Sequence, residues 1–208
     1  MGKVVALSGG IGSGKTTVRE ILGALGATTV CADRIVHGLQ VPGTGILETI
    51  AEAFGSEVLD ADGQLDRAAL GQVVFGDSAA RARLGAIMHP PVMAEMARQA
   101  DEGLRSGAAL VVMDIPLYFE GLRSGTGSAA ARDYDAAILV WVPPEVQVER
   151  TMARDRCDRA QAERRVAAQM PIDEKRDFAT HIIDNSGDRD ETRDQTAKVF
   201  AELTAAPG

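Results

Sequence analysis

Aromatic side chains make up only 4% of this 208-residue chain, with one Trp, two Tyr and five Phe. Its core must therefore rest on Val, Ile, Leu, Ala and Met. Cysteine is nearly absent too. Cys31 and Cys157 are far apart in sequence and form no C-x-x-C pair, which suggests neither a disulfide framework nor a zinc site and points to a reducing cytosol. Basic charge is in deficit: 22 Lys and Arg against 30 Asp and Glu leave a net charge of −8 and a pI near 4.9. Such a surface gives no general attraction to nucleic acid or to an anionic membrane, so any anion site must be local. Long apolar runs are missing as well. The segment Met1-Gly-Lys-Val-Val-Ala-Leu passes straight into Ser8 and glycines, without the stretch that a signal peptide or membrane span needs. Gly2 follows Met1, but Ala6 stands where a myristoylation motif wants Ser or Thr.

What is present is the balance of a soluble globular protein, 45% hydrophobic and 25% charged. The length predicts one core carrying inserted subdomains. Short apolar runs alternate with longer stretches of helical period, the pattern of an α/β fold whose parallel strands are covered by helices on both faces. Five strands are expected, over Val4 to Leu7, Thr29 to Ala32, Leu110 to Ile115, Ala137 to Val142 and His181 to Ile183. The long helix-like gap between the second and third, from Ile46 through Phe75 to Leu104, predicts an inserted helical region where acceptor specificity can reside. Gly121 to Ala131, rich in Gly, Ser and Ala, is expected to be a mobile loop. Glu145 to Arg176 is expected to be a charged helical stretch broken at Pro171, with a local excess of arginine.

The chemistry begins at Gly9-Gly10-Ile11-Gly12-Ser13-Gly14-Lys15-Thr16, which matches G-x-x-x-x-G-K-S/T between an apolar strand and a helical run from Thr17 to Leu25. Glycines let successive N–H groups converge, and the helix adds its positive end, so the loop holds phosphate oxygens. Lys15 supplies a cation for β and γ phosphates; Thr16 offers a hydroxyl to Mg²⁺. Thr17 completes the segment. The motif speaks for ATP with Mg²⁺ more strongly than for any one reaction. The absence of an N-K-x-D segment argues against guanine.

Further candidates lie at strand ends. Asp33 ends the second strand, where it can serve as the base for an acceptor hydroxyl or merely cap the next helix. Asp114 follows Leu-Val-Val-Met and resembles a Walker B carboxylate for Mg²⁺, the plain alternative being an ordinary strand-end Asp. Tyr118 and Phe119 can face an acceptor or fill the core. Among Arg150, Arg154, Arg156, Arg159, Arg164 and Arg165, some are expected to face ATP when the segment closes, although charge runs are usually solvated faces. His89-Pro90-Pro91 reads as a helix start, with His89 a lesser ligand candidate.

With those residues placed, the sequence resembles the dephospho-coenzyme A kinase family over nearly its whole length. The matching segments are Leu7 to Thr17, Ala32-Asp33, Asp62 to Arg67, Val74-Phe75, Ile87 to Pro90, Pro116-Leu117-Tyr118-Phe119-Glu120, Gln147 with Arg150 and Arg154, Arg165 to Gln169, and Asp184-Asn185. The resemblance implies a single P-loop kinase domain over residues 1–208, with a helical coenzyme-A-binding region near 60–100 and a lid over 145–172. It implies transfer of the ATP γ-phosphoryl group to the ribose 3′-hydroxyl of dephospho-coenzyme A, the last step of coenzyme A synthesis, in the cytoplasm. In that setting Asp33 and Lys15 are catalytic. Gly10, Ile11, Gly12, Ser13, Gly14, Lys15, Thr16 and Thr17 hold ATP together with Arg150 and Arg154, and Asp33, His89, Pro116, Leu117, Tyr118, Glu120 and Arg165 meet the acceptor. The implied assembly is a monomer or small homo-oligomer. Cys31 stands where the family often has Asp, and Tyr118 where it commonly has Leu. Two other readings stay open: another small-molecule or nucleoside monophosphate kinase on the same fold, and a non-catalytic ATP-binding regulator.

Overall fold

The computed structural model describes residues 2–125 and 132–205. Two compact units emerge, Met1–Cys31 with Gln99–Gly208, and Ala32–Arg98.

The first unit is built on five parallel strands, β1 (Lys3–Gly9), β2 (Thr28–Cys31), β3 (Leu110–Asp114), β4 (Ala136–Trp141) and β5 (His181–Asp184), in the order β2-β3-β1-β4-β5. Val4 through Gly9 are buried without alternation, as are all five residues of β3. A strand hidden on both faces reads as a continuous apolar run, which is why the sequence announced these strands so clearly. On one face Val5, Leu7, Val112, Ile138 and Val140 pack with Val18 and Leu22 of α1 (Lys15–Ala24) and with Val199 and Leu203. The last two belong to the carboxyl-terminal helix Arg189–Thr204, α9 in chain order. The chain leaves β1 for β2 and β3 on one side and later crosses to β4 and β5 on the other. The carboxyl end of β1 is therefore the point where strand order reverses, the position at which ligands of open α/β sheets collect.

The observed strands differ from the expected ones at their ends. β2 stops at Cys31, because Ala32 already opens α2 (Ala32–Leu39), whose apolar stripe turns Ile35 inward. Ile115 lies just beyond β3, and Val142 just beyond β4. Pro143 and Pro144 follow at once, and proline favours the first turn of α7 (Pro144–Asp155) over continued strand.

The second unit holds α2, α3 (Ile46–Phe54), α4 (Arg67–Val74) and most of α5 (Ser78–Arg105). Its own core gathers Ile50, Phe54, Val58, Leu70, Ala80 and Met88. The compact unit thus begins at Ala32. His89 does not start a helix. α5 begins at Ser78, where the Asp77 carboxylate accepts from Ala79 and Ala80 N–H, and it runs through Pro90 and Pro91. An interior proline costs about 3 kcal/mol of helix preference; here Met88 buries in the core, with Ile87 and Val92 packed against it, on either side of the break.

Two other segments depart from expectation. Residues 118–124, which overlap the presumed loop, form helix α6 (Tyr118–Ser124), closed by Gly125 in a left-handed conformation, and 126–131 lie outside the described residues. The charged stretch breaks earlier than Pro171, at Arg156 with φ of +50°, after which Asp158 caps α8 (Arg159–Ala167).

Candidate active site

At the carboxyl end of β1 the chain turns through Gly10 to Gly14 and enters α1. Gly12 and Gly14 have φ of +74° and +80°, a region that costs other residues about 1–2 kcal/mol. Space forbids a side chain there as well: a methyl at Gly12 would strike the Gln147 backbone, and one at Gly14 would strike Asn185 Nδ2. The start of α1 has no side-chain cap and no acidic residue in its first turn. α4, α8 and α9, by contrast, each begin on an Asp that accepts backbone N–H groups. Thr17 N–H donates to Gly14 O at 2.9 Å, and the positive end of α1, with no side chain capping it, is open to an anion.

Side chains from the far half of the unit fix the loop's shape. Gln147 Nε2 donates to Ile11 O at 2.7 Å, while Ile11 N–H donates to Gln169 Oε1 at 2.8 Å. Asn185 Nδ2 donates to Ser13 O at 2.7 Å. The Lys175 ammonium, fully buried, donates to Gly9 O at 3.1 Å and pairs with Glu120 at 2.8 Å. Burial pulls the Lys175 pKa below its usual value, and the Glu120 carboxylate offsets part of that.

Lys15 pairs with Asp114, which is 1% exposed. The second oxygen of Asp114 accepts from Arg19 at 2.8 Å, and the same guanidinium nitrogen lies 3.3 Å from Cys31 Sγ. Thr16 and Thr17 open α1, Thr16 exposed and Thr17 partly so. Beside Gly14 and Thr17 lies a cavity of about 490 Å³, lined also by Glu20, Arg150, Asn185 and Asp188. Arg150 Nη2 donates to Asn185 O at 2.9 Å.

The sequence candidates are thus distributed unevenly. Lys15, Asp114 and Arg150 gather around the loop. Arg154 and Arg165 both pair with Asp155, whose pKa drops to about 2 chiefly through the Arg154 hydrogen bond. Pro116 O accepts from Ser8 Oγ at 3.1 Å, and Leu117 is exposed. Tyr118 is in the core, its ring edge-on to Phe119 and Tyr134 at 5.3 Å. Glu120 Oε1 accepts from Met170 N–H at 3.0 Å. Asp33 and His89 belong to the second unit, Asp33 exposed in the first turn of α2 and His89 exposed on α5.

Two residues that the sequence reading passed over matter here. Arg19 had a signal, since it lies one helical turn after Lys15 and so shares its face. Lys175 had none: a lone lysine in a charged stretch reads as solvated.

A phosphate-cradling loop at the switch point of a parallel sheet, followed by a lysine and a strand-end carboxylate, defines a P-loop nucleotide-binding protein. The dephospho-CoA kinase family profile matches residues 3–191. The dephospho-CoA kinase of Symbiobacterium thermophilum is 45% identical over 206 residues, covering 99% of this chain and 82% of that protein. That of Bacillus licheniformis is 42% identical over 193 residues, 92% of each chain. Among solved structures, dephospho-CoA kinase from Campylobacter jejuni superposes with a TM-score of 0.72 at 28% identity, covering 98% of each chain. The chain belongs to the dephospho-CoA kinase family.

Proposed function

We propose that this chain transfers the γ-phosphoryl group of ATP to the ribose 3′-hydroxyl of dephospho-coenzyme A, releasing coenzyme A and ADP. The observation that carries the reading is the uncapped start of α1 beneath the glycine loop, with Lys15 alongside, in a chain of this family. Gly10 to Thr17 take the phosphates. The cavity beside Gly14, Thr17 and Arg150 suits the nucleoside end of ATP. Lys15 exchanges its Asp114 partner for the β and γ oxygens and offsets their charge as the bond to the β phosphate loosens.

Mg²⁺ fits the donors present. The described residues contain no cluster of three or more His, Cys, Asp or Glu able to hold a metal. The ion would thus arrive with the nucleotide, held by Thr16 and phosphate oxygens, with Asp114 as a further ligand, directly or through water. When bound it supplies charge neutralisation across the β and γ phosphates.

Asp33 is the base for the acceptor hydroxyl. It is exposed and lies two residues beyond Cys31, the β2 residue whose register partner is Asp114. His89, Leu117, Tyr118, Glu120, Pro116 and Arg165 remain assigned to the acceptor side, and Arg154 to ATP. No helix among the described residues is long and apolar enough to cross a membrane, and the compartment proposed is the cytoplasm.

The test is a coupled ADP-release assay with dephospho-coenzyme A, adenosine, shikimate and nucleoside monophosphates as competing acceptors. Dephospho-coenzyme A should dominate, and Asp33→Asn should lose at least about a hundredfold in turnover while keeping ATP affinity. Preference for a nucleoside monophosphate, or near-normal turnover in the Asp33→Asn variant, sinks the assignment.

A further inference from the structure

The pairing around Asp114 poses a problem for ATP binding. Lys15 must leave Asp114 to reach a triphosphate, and Asp114 is buried at the end of β3. A buried carboxylate deprived of its cation is strongly destabilised. The described residues give Asp114 a second cation, Arg19, on its other oxygen at 2.8 Å. The Arg19 side chain is itself only 13% exposed. It is anchored on α1, one turn beyond Lys15, and its guanidinium also touches Cys31 at the end of β2.

We infer that Arg19 is a positioning residue: it retains Asp114 when Lys15 departs, and so lowers the cost of delivering Lys15 to the β and γ phosphates of ATP. The geometry suits the role. Lys15 and Arg19 use different oxygens of one carboxylate, so one can go while the other stays. Arginine keeps its charge under all ordinary conditions, and a single guanidinium nitrogen, Nη1, reaches both Asp114 and Cys31, so the contact to the carboxylate needs a cation at this place rather than a two-pronged grip. Sulfur is a weak hydrogen-bond acceptor, so the Asp114 carboxylate at 2.8 Å is the principal partner of the guanidinium.

This inference rests on the reading of the loop as an ATP site, and the experiment separates the two. Binding of ATP and of AMP is measured calorimetrically on the full chain in EDTA, so that no metal contact to Asp114 enters. Arg19→Met should weaken ATP binding at least about tenfold, since Lys15 must then abandon a lone buried charge, while AMP, which has no β or γ phosphate, shifts by less than about twofold. Against an Asp114→Asn background, Arg19→Met should have little effect, because no buried charge is stranded. Arg19→Lys, which keeps the cation, should stay within about threefold of the wild type and guards against simple misfolding of the Arg19→Met variant.

If the wild type binds ATP neither in EDTA nor with Mg²⁺, the functional reading and this inference fall together; binding that appears only with Mg²⁺ overturns the inference alone, because a metal ion and not Arg19 then answers Asp114. If the wild type binds in EDTA and Arg19→Met binds ATP equally well, the inference alone is overturned. The same follows if Arg19→Met weakens ATP and AMP alike, if it costs as much in the Asp114→Asn background as with Asp114 intact, or if Arg19→Lys is as weak as Arg19→Met.

Discussion

Replacing Lys175 with Met tests whether the glycine loop is held from behind by a buried charge. The ammonium is fully buried, 2.8 Å from Glu120 and 3.1 Å from Gly9 O. At an effective dielectric of about 20 the attraction across that gap is roughly 6 kcal/mol before desolvation is subtracted. Desolvation is large, since burial is the leading cause of the lowered Lys175 pKa. The net worth of the intact pair is therefore small, but the loss on breaking it is not. Lys175→Met leaves Glu120 facing no ammonium, and removing one partner of a buried pair costs about 3–5 kcal/mol. The Glu120 side chain keeps 21% of its exposure, which favours the lower figure, about 3 kcal/mol. For a chain of this size that is a fall in Tm of about 6–12 °C. Urea unfolding followed through Trp141, the single tryptophan, reports on the unit that contains the pair. Adding Glu120→Gln, which keeps an acceptor for Met170 N–H, should restore about half the loss. A Lys175→Met chain weakened by under about 1 kcal/mol, or a double variant no better than the single, refutes the reasoning.

The sheet and the loop were legible because each has a local cause. Five apolar runs mark the strands of a largely buried sheet, and the G-x-x-x-x-G-K-T spacing needs only its own backbone to form. Element ends were less legible. The end of β2 at Cys31 depends on Ile35 finding a core, and the passage of α5 through Pro90 and Pro91 depends on Met88 packing far from its neighbours in sequence. The supports of the loop were the least visible. Lys175 reaches Gly9 across 166 residues, and Gln169 reaches Ile11 across 158. No local pattern encodes such contacts, because their signal is burial, and burial belongs to the folded chain. Arg154 and Arg165 show the converse: residue type marked them for phosphate, while Asp155 engages both in the structure.

Gly14→Ala should lower stability by about 1–2 kcal/mol through left-handed strain and, by displacing Asn185 from Ser13 O, weaken ATP binding at least about tenfold; unfolding and calorimetric titration of one preparation measure both. Asp155 is held down to about 2 by Arg154 and Arg165, against 3.8 unperturbed. A depressed carboxylate stabilises above its unfolded pKa, and that contribution is lost as pH falls through the folded one. The wild type should accordingly lose stability more steeply than Asp155→Asn between pH 3.8 and about 2 in thermal unfolding. If residues 145–172 act as the proposed lid, closure should be uneven along it. Gln147 and Gln169 already tie its two ends to Ile11, whereas the turn at Arg156 and most of α8 face solvent without such ties. Protection follows local stability, so amides beside the two glutamines should exchange slowly even without ligand. Slowing by ATP with dephospho-coenzyme A should then concentrate between residues 150 and 165, where Arg150, Arg154 and Arg165 can be drawn to phosphate. A lid that slows uniformly from 145 to 172, or not at all, contradicts a segment anchored at both ends and closing from its middle.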